Sequence, residues 1–305
     1  MTRWTRRELL KRSILGTGII AASPAWADKV ETLFASALPA ATDRVEIGKS
    51  GVTVTRVAMG TGFSGFNRSS NQTRLGQAGF TELMRHGFDS GLNFFDMADS
   101  YGSMPFMKNA LKGIPRDKVV LLSKIWFAGG GIFTLTDRAK PDVERFLGEL
   151  GVDYLDVCLM HCLTDNGWQT HRRRMMDEMA ELKEKRIIRN VGVSCHDLEA
   201  LKKAAQDPWV DVILSRINPR AKVMDVRTPD RVNEVADTLK TARRNGKFVV
   251  GMKIYGAGQL VGQEQRDESL RFVWGNKLVD AMTIGFERTE QVDDTVNHLT
   301  RVLRA

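Results

Sequence analysis

Cysteine is scarce in this chain, with three in 305 residues: Cys158, Cys162 and Cys195. An odd and sparse set is no disulfide framework. Long apolar runs are missing too. Hydrophobic residues make up 42% of the chain and come in short runs, as in a soluble protein with a large core. The apolar stretch near the N-terminus, Ile14 to Ala22, is too short to span a bilayer, so no stable membrane span is expected in the mature form. A strong charge excess is the third lack. The formal net charge is +8, but residues 1–27 hold Arg3, Arg6, Arg7, Lys11 and Arg12 against Glu8, a net of +4. The remainder, about +4, is too modest to argue for a nucleic-acid partner.

What is present begins with a targeting pattern. Thr5-Arg6-Arg7-Glu8-Leu9-Leu10-Lys11 resembles the twin-arginine export motif, the apolar run comes next, and Ala25-Trp26-Ala27 is an A-x-A cleavage pattern. Residues 1–27 are therefore expected to be a signal segment read by the twin-arginine export machinery. The expected location is periplasmic or extracellular. Residues 28–42 read as a linker, and Thr42 to Thr55 as a β-hairpin around a Lys-Ser-Gly turn.

From Arg56 onward, short apolar strands alternate with helical patterns. The strands are Val57–Met59, Asn93–Phe95, Val119–Ser123, Leu155–Met160, Asn190–Ser194, Val210–Leu214, Phe248–Met252 and Ala281–Ile284. Helices are expected at Gly76–Ser90, Met104–Leu111, from Pro141, at Met175–Lys185, through Leu198 and Leu201, and at Arg231–Ala242, Glu268–Val273 and Glu290–Leu303. A long glycine-rich loop is expected from Phe127 to Thr136. Eight strands, each followed by a helix, predict a (β/α)8 TIM barrel over residues 43–305, an α/β fold with an N-terminal β-hairpin. Active sites of such barrels sit at the C-terminal strand ends.

Three consecutive strands end in chemistry. Asn93 to Phe95 delivers Asp96, with Tyr101 five residues later and Gly102 after it. The next strand runs into Lys124, and the one after it into His161. With this order of residues the chain resembles an aldo-keto reductase, whose signature is F-D-x-A-x-x-Y-G, then a strand-end lysine, then a strand-end histidine. The match is Phe95-Asp96-Met97-Ala98-Asp99-Ser100-Tyr101-Gly102, Lys124 and His161. The resemblance covers about residues 43 to 303. It implies reduction of an aldehyde or ketone, with hydride from NAD(P)H, Tyr101 as proton donor, Lys124 lowering the phenol's pKa, Asp96 holding Lys124, and His161 orienting the substrate oxygen.

The cofactor pattern is looser. Gly60-Thr61-Gly62-Phe63-Ser64-Gly65 matches G-x-G-x-x-G, but a dinucleotide fold needs a helix opening there. The next residues, Phe66 to Asn71, are loop chemistry. Gly60, Thr61 and Gly62 instead suit close backbone approach to a nicotinamide. Ser194-Cys195 stands where the family has Ser-Asn for the carboxamide, Leu214 where it has glutamine, and Met252 where an aromatic stacks. Asn218 is kept. Lys253 can reach a phosphate, Gly256-Ala257-Gly258 resembles the loop over the pyrophosphate, and Arg288, beside Glu287, is the candidate for a 2′-phosphate. NADP(H) is favoured, with NAD(H) the alternative.

Other readings are weighed against this one. Strand parity excludes a metal at Cys158-x-x-His161-Cys162: His161 shares the interior face with Val157 and Leu159, while Cys158 and Cys162 are expected to point towards the helices. Cys158 and Cys162, about 13 Å apart along a strand, cannot bridge. A Cys162–Cys195 bridge between neighbouring strand ends is open, though such positions seldom meet the geometry. The basic run His171 to Arg174 reads as a solvated helix entrance. A hydrolase on this barrel lacks the spaced carboxylates or metal ligands it needs. An exported barrel that binds nicotinamide or another ligand without turnover stays as the alternative function, and a pure binder has no need of the four-residue set.

Overall fold

A computed structural model describes residues 40–304. The signal segment with Arg6 and Arg7, and most of the linker, lie outside the described residues. Eight parallel strands close into a barrel: β3 (Val57–Gly60), β4 (Phe94–Asp96), β5 (Val120–Ile125), β8 (Leu155–Leu163), β9 (Ile188–Cys195), β10 (Val212–Arg216), β11 (Phe248–Met252) and β12 (Ala281–Ile284). The last pairs back to the first, Met282 beside Val57. This is the expected (β/α)8 barrel. Outside it lie α1 (Gly76–Asp89), α2 (Met104–Ala110), α3 (Lys140–Leu150), α4 (Trp168–His171), α5 (Arg173–Glu184), α6 (Leu198–Ala204), α7 (Val232–Arg244), α8 (Gln263–Gly275) and α9 (Thr289–Arg304).

The alternation of strand side chains sorts the core into two parts. Inside the barrel pack Ala58, Phe94, Val120, Leu122, Val157, Leu159, Val212, Leu214, Phe248 and Val250. Between strands and helices packs the larger cluster, with Met59, Phe95, Leu121, Cys158, Met160 and Val193 facing out. The hairpin β1 (Arg44–Glu46) and β2 (Thr53–Thr55) brings Ile47, Val52 and Val54 into the interior cluster and so plugs the N-terminal end. Asn93 fastens it: its Oδ1 accepts from Thr55 N at 2.8 Å and its Nδ2 donates to Thr53 O at 2.9 Å. With that end filled, the opposite end is left for a site.

Two expectations need correction. The segment Phe127 to Thr136 is not a plain loop but an antiparallel pair, β6 (Ala128–Gly130) and β7 (Phe133–Leu135). Gly129, Gly130 and Gly131 all have positive φ, which lets the chain double back within two residues. Cys162 does not continue the alternation of β8. Its φ is +65°, and the register with β9 slips between Met160 and Leu163, so Leu163 takes the place in the outer core beside Cys195. A bulge adds one residue and reverses facing beyond it. All three cysteines are free thiols. Among the described residues no group of three or more metal-binding side chains is gathered, and no helix is long and apolar enough to cross a membrane.

Candidate active site

Parity brings Asp96, Lys124 and His161 to the interior face of β4, β5 and β8, at the C-terminal ends. The register pairs Asp96 with Leu122 and Lys124 with Leu159, so the three side chains climb the barrel stepwise. Lys124 is fully buried. A buried ammonium needs partners, and it has them: Nζ donates to Asp96 Oδ1 and, at 2.7 Å, to Met97 O. The other carboxylate oxygen of Asp96 accepts from Thr283 Oγ1 at 2.8 Å, across β3. Lys124 Nζ also lies 4.8 Å from the centre of the Tyr101 ring.

Tyr101 closes a single 3-10 turn, Asp99–Tyr101. Its ring is backed by the loop after β3: a Cβ on Gly62 would fall 2.2 Å from the ring, so only glycine fits there. The G-x-G-x-x-G match thus serves to bring backbone against Tyr101, and the first helix opens later, at Gly76. Tyr101 Oη is 3.4 Å from His161 Nε2, and Ser100 Oγ is 3.5 Å from His161 Nδ1. Both distances are at the long limit of a hydrogen bond, which leaves the phenol and the imidazole free to engage a third group between them.

The electrostatics set the protonation states. Burial pulls the Lys124 ammonium down, but the attraction of Asp96 and Tyr101 outweighs it and holds it above the ordinary lysine value. Burial raises the Tyr101 phenol, and the pull of Lys124 in the other direction does not cancel this. The expected pull of Lys124 on the phenol is present, but burial outweighs it and Asp96 opposes it, so the net shift is upward. Burial, with the charges of Lys124, His196 and Lys253, pushes His161 well below its ordinary value. At neutral pH the site holds a protonated phenol, an ammonium and a neutral imidazole. Such a set can give one proton and hold one polar oxygen.

From Tyr101 and Asp96 a cleft of about 460 Å³ runs across the ends of β10, β11 and β12. Of the residues expected at a cofactor, Gly60, Gly62, Met252, Lys253, Gly258 and Arg288 line it. Thr61, Ser194, Cys195 and Gly256 are buried behind it. Thr61 spends its hydroxyl on Asp96 O and Ser103. Ser194 Oγ is buried with no hydrogen-bond partner among the described residues. Asn218 is occupied in joining two loops, donating to Lys222 O and Lys253 O. Arg288 is exposed at the far end, and Glu287 accepts from Asn71.

Several residues of the site were not anticipated. Thr283 stands two residues after interior Ala281, so parity could have found it. Arg266 lines the cleft. Trp126 stands two residues beyond Lys124 and is set edge-on to His161 at 5.3 Å between ring centres. It leads to Phe66 at 5.5 Å and Phe133 at 6.3 Å, an aromatic wall on the imidazole side of the mouth. Arg216, paired with Asp225, and His196 form a second polar cluster beside Cys162.

The fold is a (β/α)8 barrel with its candidate site at the C-terminal strand ends. A model of the Aldo/keto reductase family matches residues 58–304, and the chain belongs to that family. It is 24% identical over 241 residues to the NADH-specific methylglyoxal reductase of Escherichia coli K12, covering 73% of this chain and 71% of that protein. It is 26% identical over 147 residues to an aldo-keto reductase of Mycobacterium avium, 46% of this chain and about half, 48%, of the relative. The fold is similar to that of an aldo-keto reductase of Bacillus halodurans in its holo form, with TM-score 0.67, 16% identity, and coverage of 86% of this chain and 95% of that one.

Proposed function

We propose that this chain is an NAD(P)H-dependent carbonyl reductase in which Tyr101 is the proton donor. The observation that carries the reading is the convergence of Asp96, Lys124, Tyr101 and His161 at the inner end of one long cleft. The cleft suits a dinucleotide: Lys253 and Arg288 bring positive charge to it, with Gly258 on its wall and Arg266 held there by Asp294. Orphaned Ser194 Oγ at the end of β9 is a polar atom in want of a partner. A bound reduced nicotinamide supplies the hydride. Neutral His161 donates to the carbonyl oxygen and holds it beside Tyr101. Tyr101 Oη gives its proton to that oxygen, and Lys124, kept charged by Asp96, stabilises the phenolate left behind before solvent restores the proton. The wall of Trp126, Phe66 and Phe133 suits a substrate with an apolar face beside its carbonyl. Oxidation of NADPH by a panel of aldehydes tests the proposal; tight cofactor binding with no turnover on any of them would favour a binding module instead.

NADPH is the cofactor proposed, on the strength of Arg288, which has no carboxylate within ion-pair distance among the described residues. The Escherichia coli relative is NADH-specific, so the choice is testable rather than inherited. Arg288→Ala is expected to weaken NADPH binding about 10-fold or more, the scale of one charge-assisted bond, and to leave NADH nearly unchanged. Equal losses for both in a titration of cofactor fluorescence would show that Arg288 does not read the 2′-phosphate.

Export through the twin-arginine route is proposed on the leader pattern alone. Arg6→Lys with Arg7→Lys is expected to keep the protein inside the cell, measured by fractionation. Undiminished export of that variant would refute the motif reading.

A further inference from the structure

We infer that Asp99, Arg68 and Arg145 form a clamp that positions Tyr101 for proton transfer, an inference that rests on the role proposed for that phenol. The turn bearing Tyr101 is intrinsically weak. It is a single 3-10 turn closed by Tyr101 N to Ala98 O at 3.1 Å and Gly102 N to Asp99 O at 3.2 Å. One turn fixes several dihedrals for very few bonds. Its stiffness must come from outside, and Asp99, its first residue, supplies the handle.

Asp99 is buried, and each of its oxygens is taken. Oδ1 accepts from Arg68 Nη1 at 2.9 Å and from Arg145 Nη1 at 2.8 Å; Oδ2 accepts from Arg145 Nη2 at 2.9 Å. The two guanidiniums come from different elements. Arg145 belongs to α3, and its fork grips both carboxylate oxygens, the geometry that fixes direction as well as distance. Arg68 belongs to the loop after β3, the same loop whose Gly62 lies on the Tyr101 ring. Glu149 of α3 ties the two ends, accepting from Arg68 Nη2 at 2.7 Å on both of its oxygens.

The backbone of Arg68 completes the clamp. Its N–H donates to Ser100 O at 2.9 Å. Gly102 has φ +65°, and a Cβ there would meet Arg68 O at 2.1 Å, so the loop is pressed onto the turn from above. Arg68 itself has φ +57° and comes directly after Asn67 at +50°. Two successive non-glycine residues in the left-handed region cost energy, which the ion pairs of Arg68 offset. Loop, turn and helix are thereby held as one piece, and Tyr101 is set between Gly62 and Lys124. Asp99, Arg68 and Arg145 touch none of the reacting groups. They are positioning residues.

The test is a double-mutant cycle that separates positioning from general support. Arg68→Met keeps the stem and the backbone bonds and removes the fork. Single-turnover hydride transfer is expected to fall about 10- to 100-fold, the scale of a misplacement near 1 Å, with cofactor affinity unchanged. In the Tyr101→Phe background the same change is expected to cost no more than about twofold, the margin for uncoupled sites. Equal losses in both backgrounds, or no loss in the parent, would overturn the clamp. If Arg68→Met does not fold, Arg145→Met is read in the same way. If the parent reduces no carbonyl at all, the function proposed above fails but the clamp is still decided, by ultraviolet titration of the phenol taken as the difference from Tyr101→Phe. Arg68→Met should then shift the phenol's titration away from the parent's, because the ring changes its place relative to the Lys124 ammonium. A titration identical to the parent's would overturn the clamp.

Discussion

Replacing Tyr101 by phenylalanine is expected to lower hydride transfer to an aromatic aldehyde by about 10²–10⁴-fold, the usual contribution of a positioned acid. The substitution keeps the ring. The contacts of that ring with Gly62 and with the Lys124 ammonium therefore persist, and Asp96 still holds Lys124. Only the transferable proton is gone. Since the cleft proposed for the cofactor extends away from Tyr101 towards Arg288, cofactor affinity should change little, and the loss should fall on the chemical step.

Lys124→Met is expected to lower the rate in the same direction, for a reason the geometry makes explicit. The phenol is already raised by burial, and the Lys124 charge is what restrains it. Without that charge the phenol becomes a weaker acid, and the phenolate formed on proton transfer loses its neighbouring cation. The same groups set the pH profile. On the proposed mechanism reduction in the parent needs Tyr101 protonated, so the rate should hold through neutral pH and fall only above the ordinary tyrosine value of 10.0, because the folded value is raised. In the proposed mechanism His161 is neutral when it donates to the carbonyl oxygen, and its protonation would disturb its contacts with Ser100 and Tyr101. Its folded value lies well below the ordinary 6.5, so an acid limb belongs below that pH. In Lys124→Met the alkaline limb should move to higher pH and the plateau should drop. Stability is a separate readout. The variant leaves the Asp96 carboxylate buried with Thr283 as its remaining side-chain partner, a loss on the order of 3–5 kcal/mol. Adding Asp96→Asn should recover much of that stability and none of the rate.

The barrel was legible because its strands are buried on both faces and read as short apolar runs. Asp96, Lys124 and His161 were legible for a related reason. A polar residue that follows an apolar strand run marks the C-terminal part of that strand, and strand order places three such residues side by side. What the sequence did not disclose lies where the chain leaves regular periodicity. The extra residue at Cys162 reverses facing through a backbone conformation, φ +65°, that carries no signal in residue type. The β6–β7 hairpin hides in a glycine run because its strands are three residues each. The four-residue helix Trp168–His171 is too short to show a period. Partnerships across the chain were invisible as well. Asp99 meets residues 31 and 46 positions away, and Asp96 meets Thr283 at a separation of 187. The net rise of the phenol also could not be foreseen, since it depends first on how deeply the folded chain buries the ring.

Tyr101 and Lys124 are proposed to act as one proton-delivering unit on a carbonyl. Single-turnover oxidation of bound NADPH by an aromatic aldehyde tests it most directly, measured in the parent, Tyr101→Phe, Lys124→Met and the double variant. Each single change should slow the transfer, and the double variant should be about as slow as Tyr101→Phe alone, because residues that work together lose little more when both are gone. Hydride transfer in Tyr101→Phe as fast as in the parent would contradict the account, since some other group would then be giving the proton.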